Sequence, residues 1–244
     1  NEHLENSLRE HYLWYESLEN YNDPYDGRYR LKNPTTKDYE CFLYKQGLSL
    51  PPNEINKTFE HFVEELTKTI EEVKTKSRVC CFSALQDNIL MWSHYAENHT
   101  GVCLVFDYMK DVNSFSMILP ITYTNTYREY NYVDDNTGTI HQILATKSLD
   151  WAYEKEYRSI KEPNIENETE LNNKVPFIPS ALTEIIFGCK VDPIKKKNII
   201  EQIHKCNTSE NFVKVNNLIL ETFGGNLGAS IPITPRDEVS KSRE

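Results

Sequence analysis

The sequence predicts a single α+β domain, with a mixed or antiparallel split sheet and flanking helices. Three observations carry that expectation. Strand-like and helix-like segments alternate irregularly, without the regular βαβ rhythm of a parallel sheet. The 244 residues are ample for a core, and an aromatic fraction of 11 % separates the chain from disordered sequences. No internal repeat or long linker divides it. The domain is expected over residues 1–223, with 224–244 as a polar C-terminal arm or tail rich in Gly, Pro and charge.

Residues 1–10 read as the end of a short polar helix, and His11 to Tyr15 as a strand. Asn22-Asp23-Pro24-Tyr25-Asp26-Gly27 then supplies turn chemistry: side-chain to backbone bonds, a fixed φ and a permitted positive φ. After Pro51-Pro52-Asn53, the apolar residues Ile55, Phe59, Phe62, Val63, Leu66, Ile70 and Val73 recur at helical spacing, with glutamates on the other side. Val79 to Ser83 is a short apolar strand, and Leu90 to Asn98 a helix stopped before Gly101. Val102 to Phe106 and Met117 to Tyr123 read as strands, and Tyr127 to Gly138 as irregular. Ile140, Ile143 and Leu144 predict a helix from Thr139 to Asp150. Trp151 to Ile160 fits either type. A polar insertion, Asn164 to Lys174, precedes a buried strand at Glu184 to Phe187, ended by Gly188. Asp192-Pro193 starts a helix that runs to about Cys206, by an N-cap carboxylate and Pro in the first turn. A last strand pair is expected between Phe212 and Phe223.

Composition narrows the function classes. A formal net charge of -10 argues against a general phosphate-backbone binder, though not against a local basic groove. No apolar run approaches the roughly 18 residues of a membrane span. The 6 cysteines are too few for a disulfide scaffold and lack zinc spacing, so they read as reduced thiols of a cytoplasmic protein, and no metal site is expected. The chain opens on Asn1 with no signal-peptide pattern, which reads as a trimmed start. There is no GxGxxG, Walker loop, GxSxG elbow or HExxH, which disfavours dinucleotide dehydrogenases, P-loop NTPases, elbow-type hydrolases and zincins.

Three clusters carry candidate chemistry. In the first, Asn22, Asp23 and Asp26 either form a rigid turn or hold a ligand's hydroxyls at a pocket rim. The second runs from Cys80-Cys81-Phe82-Ser83 through Met91-Trp92 and His94-Tyr95-Ala96 to His99 and Gly101. On a helix, Trp92 shares a face with Ala96, and Met91 with Tyr95; core packing is the plainer alternative for Met91 and Trp92. The third joins Lys147 to Trp151, Tyr153, Glu154, Glu156, Tyr157 and Arg158. In a strand, Glu154, Glu156 and Arg158 point to one face and shift one another's proton affinity. In a helix, Glu154 and Arg158 make an ordinary i,i+4 pair.

Taken in this order, the clusters resemble a bacterial family of unknown function marked by NDP(F/Y)D, then CFS…MWxxYAxxHxGVC, then K…WxxExExR. The later Ile185-Ile186-Phe187-Gly188 also fits. The order of turn, F-S strand, M-W helix, strand and acidic E-x-E segment further resembles ADP-ribosyltransferases, including bacterial toxins that modify DNA. That resemblance implies an ADP-ribosyltransferase-like fold and NAD as co-substrate. Asn22, with Asp23 and Asp26, would hold the NAD end and Ser83 the ribose. Trp92 or Tyr95 would stack on the nicotinamide, His99 would help to bind the cofactor, and Lys147 or Arg158 would orient the carboxylate or bind phosphate. Glu154 or Glu156 would be the catalytic carboxylate, assisted by Arg158. It implies a toxin or antiphage effector with a protein or nucleic-acid acceptor and an antitoxin or defence-system partner protein. An NAD or nucleotide glycohydrolase, or a non-enzymatic ligand- or partner-binding module anchored by Trp151 and the tyrosines, are the alternatives.

Overall fold

The computed structural model describes residues 2–23, 25–115, 117–126, 129–130, 136–161, 173–206 and 213–217. In chain order the elements begin with α1 (Glu2–Glu10), β1 (Tyr12–Trp14), β2 (Arg30–Leu31), α2 (Thr36–Lys45), α3 (Pro52–Lys76) and β3 (Arg78–Ser83). Next come α4 (Ile89–Tyr95), β4 (Val102–Phe106), β5 (Ile118–Pro120), β6 (Thr122–Thr124), β7 (Glu129–Tyr130) and α5 (Asn136–Leu144). The chain continues with β8 (Thr146–Ser148), β9 (Glu156–Lys161), β10 (Lys174–Pro176), β11 (Leu182–Phe187), α6 (Pro193–Cys206) and β12 (Lys214–Asn217). The class is α+β: among the described residues the strands form five small sheets of two or three strands, and none closes into a barrel. The expected tail, 224–244, lies outside the described residues, as do most of the expected insertion at Asn164 to Lys174 and most of the stretch Tyr127 to Gly138. Of the strand pair expected between Phe212 and Phe223, β12 is the described part.

Two compact units are interleaved along the chain. The first comprises Asn1–Tyr12, Ser83–Phe115 and Pro176–Glu244. Its sheet has the order β12-β11-β4, with β11 parallel to β12 and antiparallel to β4, so that Ile185 faces Val215 on one side and Leu104 on the other. Within β11 the apolar residues Leu182, Ile185, Ile186 and Phe187 are buried, and Ile185 and Phe187 lie fully inside. Trp92 and Ala96, one turn apart on α4 and just past its end, pack on Ile186, Cys103 and Val105.

The second unit comprises Leu13–Phe82 and Ser116–Val175. Its central sheet has the order β3-β9-β5, with β5 antiparallel to β9 and Leu119 opposite Arg158. Beside it, β6 and β8 run parallel, with Tyr123 opposite Lys147. The long helix α3 follows the predicted periodicity: Ile55 and Ile70 are buried. Ile70 joins Tyr130 and Ile143 in one apolar cluster, and Ile55 joins Tyr39 and Leu43 in another. A third cluster of Leu18, Val79, Leu144 and Ile160 lies among β3, β9 and the end of α5.

Two local expectations need correction, and one helix was not expected. The helix expected over Thr139 to Asp150 ends at Leu144: Thr146–Ser148 pair with Thr122–Thr124, and Leu149–Glu154 form a 3-10 turn. Sheet pairing outcompetes helical periodicity there, and β-branched Thr146 suits it. The strand expected over Met117 to Tyr123 breaks at buried Ile121 into β5 and β6, which serve different sheets. A helix that the periodicity did not announce, α2, starts with a capping box in which Thr35 Oγ1 accepts from Asp38 N at 3.2 Å and Asp38 Oδ2 from Thr35 N at 2.8 Å. Among the described residues, no helix is long and apolar enough to cross a membrane.

Candidate functional site: a buried charge network

Strand β9 carries Glu156 and Arg158 inward while Tyr157 between them points out, as period-two alternation requires. Glu154 is not on that strand. It ends the 3-10 turn, and Lys155 follows in the left-handed region at φ 46°. That reversal still brings Glu154 to the same place, because Lys147 on β8 bridges both glutamates. Its Nζ donates to Glu154 Oε2 at 2.6 Å and to Glu156 Oε2 at 3.0 Å. The Trp151 ring centroid lies 4.8 Å from the same ammonium.

Arg158 extends the network to the first cluster. Its Nε donates to Glu156 Oε1 at 2.7 Å, while Nη1 and Nη2 grip Asp26 Oδ1 and Oδ2 at 2.8 and 2.5 Å. A second Nη1 proton goes to the Leu144 carbonyl at 2.7 Å, and Nη2 approaches Glu156 Oε2 at 3.5 Å. All five guanidinium protons therefore face an acceptor. The chain of charges runs Glu154, Lys147, Glu156, Arg158, Asp26, with three anions to two cations, and every side chain in it is at most 5 % exposed.

Burial opposes charge on each member, so the ionised state of each depends on its partners. Arg158 and Lys147 outweigh the burial of Glu156 and bring its pKa down to about 2. Burial likewise disfavours the Lys147 ammonium, but the Glu156 and Glu154 carboxylates reverse that and raise its pKa. Cys81 is exposed as a residue, yet the protein packed around its sulfur and the Glu156 charge hold the thiol well above its usual range. Both effects favour the neutral thiol at Cys81.

The linkage sign follows from Glu156. Its folded pKa is depressed below the ordinary glutamate value of 4.5, so the unfolded chain binds the extra proton first as pH falls. Its contribution, on the order of 3 kcal/mol, is fully present above about pH 4.5 and is lost as pH falls towards about 2. Urea unfolding at a series of pH values is expected to show stability falling across that window. The fall is expected to be shallower in Glu156→Gln.

The network also contains residues that the sequence reading left out. Tyr123 Oη accepts from Glu156 N at 2.7 Å and so fixes the strand start. The Tyr21 ring lies 5.8 Å from the Arg158 guanidinium, and its hydroxyl donates to the Val79 carbonyl at 2.8 Å. Buried Tyr15 bonds Ser159 Oγ at 2.9 Å. Sequence offers no spacing signal for Tyr123 or Tyr15, since only tertiary packing brings them there.

The structure thus joins Asp26, Lys147, Glu154, Glu156 and Arg158 in one place. Asn22 and Asp23 precede Asp26 in the same turn; Asn22 is exposed and Asp23 buried. Asp23 Oδ1 accepts from Tyr25 N at 2.8 Å, while its buried Oδ2 has no partner among the described residues. Ser83, Trp92, Tyr95 and His99 belong to the other unit. Ser83 Oγ caps a local turn, accepting from Leu85 N at 2.9 Å. Trp92, expected as a stacking platform, is instead a core residue: it is 3 % exposed, and its Nε1 donates to the Gln86 carbonyl at 2.8 Å. Tyr95 is exposed on α4.

His99 owes its position to an unusual backbone. Glu97, Asn98 and His99 all take positive φ, at 48°, 54° and 72°. Gly101 N then returns to the Ala96 carbonyl at 2.8 Å. The loop is locked to the end of β11 by Gly188 N to Gly101 O and by Lys190 N to His99 O, both 3.0 Å. The HxG and terminal FG motifs therefore describe one backbone clasp, with His99 Nδ1 buried inside it and unpartnered among the described residues.

Elsewhere in the second unit, an open groove of about 700 Å³ along α3 is lined by Phe59, Val63, Thr67 and charged neighbours; it contains none of these candidates. No group of three or more His, Cys, Asp or Glu among the described residues is arranged to hold a metal ion.

Residues 91–159 match a family described as "Protein of unknown function (DUF2971)". The matched stretch runs from Met91 to Ser159, so it holds the MWxxYAxxHxGVC segment and the whole of Lys147 to Arg158. It stops short of the turn that supplies Asp26 and of the CFS strand. No curated protein and no solved structure matches the chain.

Proposed function

We propose that this protein cleaves the N-glycosidic bond of a nucleotide-type substrate, NAD foremost, and passes the ADP-ribosyl group to an acceptor in the manner of an ADP-ribosyltransferase. The observation that carries this reading is the pair of buried carboxylates, Glu154 and Glu156, sharing one ammonium 2.6 and 3.0 Å away. In the reaction, the C1′–N bond breaks and its electron pair leaves with nicotinamide. Positive charge then builds on the ribose, as in glycoside cleavage. An ionised carboxylate beside the sugar stabilises that charge, and it is already oriented before substrate arrives. An acceptor hydroxyl, or water, adds at C1′ and releases its proton to the carboxylate and then to solvent.

The charge network limits what else these side chains do. Every proton of Arg158 faces an acceptor inside the protein, and Lys147 is buried between two carboxylates. Neither fits a role in gripping a pyrophosphate. They act as positioning residues that set the carboxylates' charge and direction. Within this reading the protein is a toxin or antiphage effector acting on a protein or nucleic-acid acceptor and restrained by a partner protein.

The test is nicotinamide release from labelled NAD, with protein and nucleic-acid acceptors present, by wild type, Glu154→Gln and Glu156→Gln. Release by wild type is expected to fall roughly a hundredfold in at least one variant. Label on an acceptor supports transfer; free ADP-ribose alone identifies a glycohydrolase. No turnover by wild type, with both variants indistinguishable from it, leaves the binding-module alternative and removes the catalytic one.

A further inference from the structure

Only part of the apolar surface of α3 serves the core of the second unit. Ile55 and Ile70 are buried there, with Phe62 and Leu66 packed beside them. Val63 belongs to the same helical recurrence and is half-buried, yet it joins neither of the clusters that α3 closes. With Phe59, one turn away, it forms the apolar floor of the open groove of about 700 Å³.

The groove's other wall is Asn33-Pro34, in the link between β2 and α2. Pro34 fixes its own φ and restricts Asn33 to extended conformations, so this wall is formed before any partner arrives. The Asn33 side-chain amide is exposed and makes no hydrogen bond among the described residues. It offers a donor and an acceptor to a peptide backbone laid along the groove.

Charge selects the partner. Glu60 and Glu64 line the groove as exposed residues, and like charges four apart on a helix repel each other. Neither has a cation within ion-pair distance among the described residues; the ion pair on α3, Lys74 with Glu71 at 3.6 Å, lies two turns further on. Lys68 offsets only one of the two carboxylates in the lining. A second copy of a chain at -10, or a nucleic acid with its phosphates, is repelled there, whereas a cationic peptide is complementary. The two glutamates are about 6 Å apart along the helix, close to the roughly 6.6 Å between alternate side chains of an extended chain. Arg or Lys at alternate positions therefore reaches both carboxylates, with the aliphatic stems lying over Phe59 and Val63.

We infer that the α3 groove binds an extended basic segment of another protein, with cationic side chains at alternate positions on Glu60 and Glu64 and its backbone on Asn33. The inference goes beyond the glycosyl-transfer reading and does not depend on it, since docking a peptide requires no turnover.

Fluorescence anisotropy on the full chain tests the groove. The probe is a labelled heptapeptide with arginines at its third and fifth positions and leucines at its second, fourth and sixth. Wild type is expected to bind it with a Kd below about 1 mM, and not to bind the same peptide with glutamates in place of the arginines. Glu60→Gln/Glu64→Gln is expected to weaken binding about tenfold. Glu65→Gln/Glu72→Gln removes the same charge from exposed positions of α3 outside the groove and is expected to bind as wild type does. Val63→Lys, which puts a cation on the floor, is expected to abolish binding. Circular dichroism melts within error of wild type show that the variants are folded. No binding of the basic peptide to wild type at millimolar concentration overturns the inference, as does equal binding of the acidic one. Equal affinity in the two double variants, or unchanged binding by Val63→Lys, overturns it too. Sedimentation of wild type without peptide supplies the last arm: a dimer dissolved by Val63→Lys assigns the groove to a second copy and overturns the peptide.

Discussion

Arg158→Met is expected to lower the free energy of unfolding by about 3–5 kcal/mol, because it leaves Asp26 and one side of Glu156 as uncompensated buried anions. The side chain is 0 % exposed and donates to two carboxylates and a carbonyl, so no water replaces it in the intact fold. Arg158→Lys is expected to recover only part of that loss. A lysine keeps the charge but not the planar fork that grips Asp26 through two nitrogens and Glu156 through a third. Urea unfolding of the two variants gives both values. A double-mutant cycle with Asp26→Asn adds a sharper check. If the pair is coupled as the geometry requires, Asp26→Asn costs markedly less on the Arg158→Met background than in wild type. Additive costs would mean that the clamp contributes little to stability.

Gly188→Ala is expected to be the most damaging single-methyl change in the first unit. A Cβ there would lie 2.2 Å from the His99 carbonyl oxygen, 2.8 Å from its carbon and 3.1 Å from the Gly101 oxygen. All three are backbone atoms, already tied by the Gly188 N to Gly101 O and Lys190 N to His99 O bonds. Relief therefore requires the strand end and the loop to part, at a cost of roughly 3 kcal/mol or more. Gly47→Ala makes the contrast. Gly47, unlike Gly188, has positive φ, at +72°, but nothing lies within 4 Å of an added Cβ. Only the left-handed penalty of about 1 kcal/mol applies there. Thermal melts of the two alanine variants are expected to separate accordingly; equal losses would mean that the clasp yields easily.

The structure also sorts the motifs into those that hold and those that are available for contact. HxG and the terminal FG describe a backbone clasp, and Trp92 fills the core behind it. Asp26 and Arg158 clamp the turn to β9 and hold Glu156 in place. Tyr25, Arg28 and Tyr95 keep exposed surface. A recurrent residue in such a pattern is thus not equivalent to a ligand contact, because burying a charge without its partners is as costly as losing a substrate contact.

Sequence alone determined the features that local physics controls. The 3.6-residue recurrence from Ile55 to Val73 is α3, and the apolar run at Glu184 to Phe187 is the core of β11. The turn residues before Gly27 and the helix start at Asp192-Pro193 also lie where their backbone preferences put them, with Asp192 Oδ1 accepting from Ile194 N at 2.9 Å and from Lys195 N at 3.0 Å. The start of α2 was not read from the sequence, where its apolar periodicity is weak; its Thr35 to Asp38 capping box emerges from the structure. What only the tertiary structure decided is the partnership of charges. The spacing E-x-E-x-R placed Glu156 and Arg158 on one strand face, but left strand and helix equally open. Nothing local joins Asp26 to Arg158 across 132 positions, or lets Lys147 leave an apparent helix to pair as a strand with Tyr123. Such contacts arise because buried charges must find one another wherever the chain brings them, and sequence spacing carries no record of that meeting.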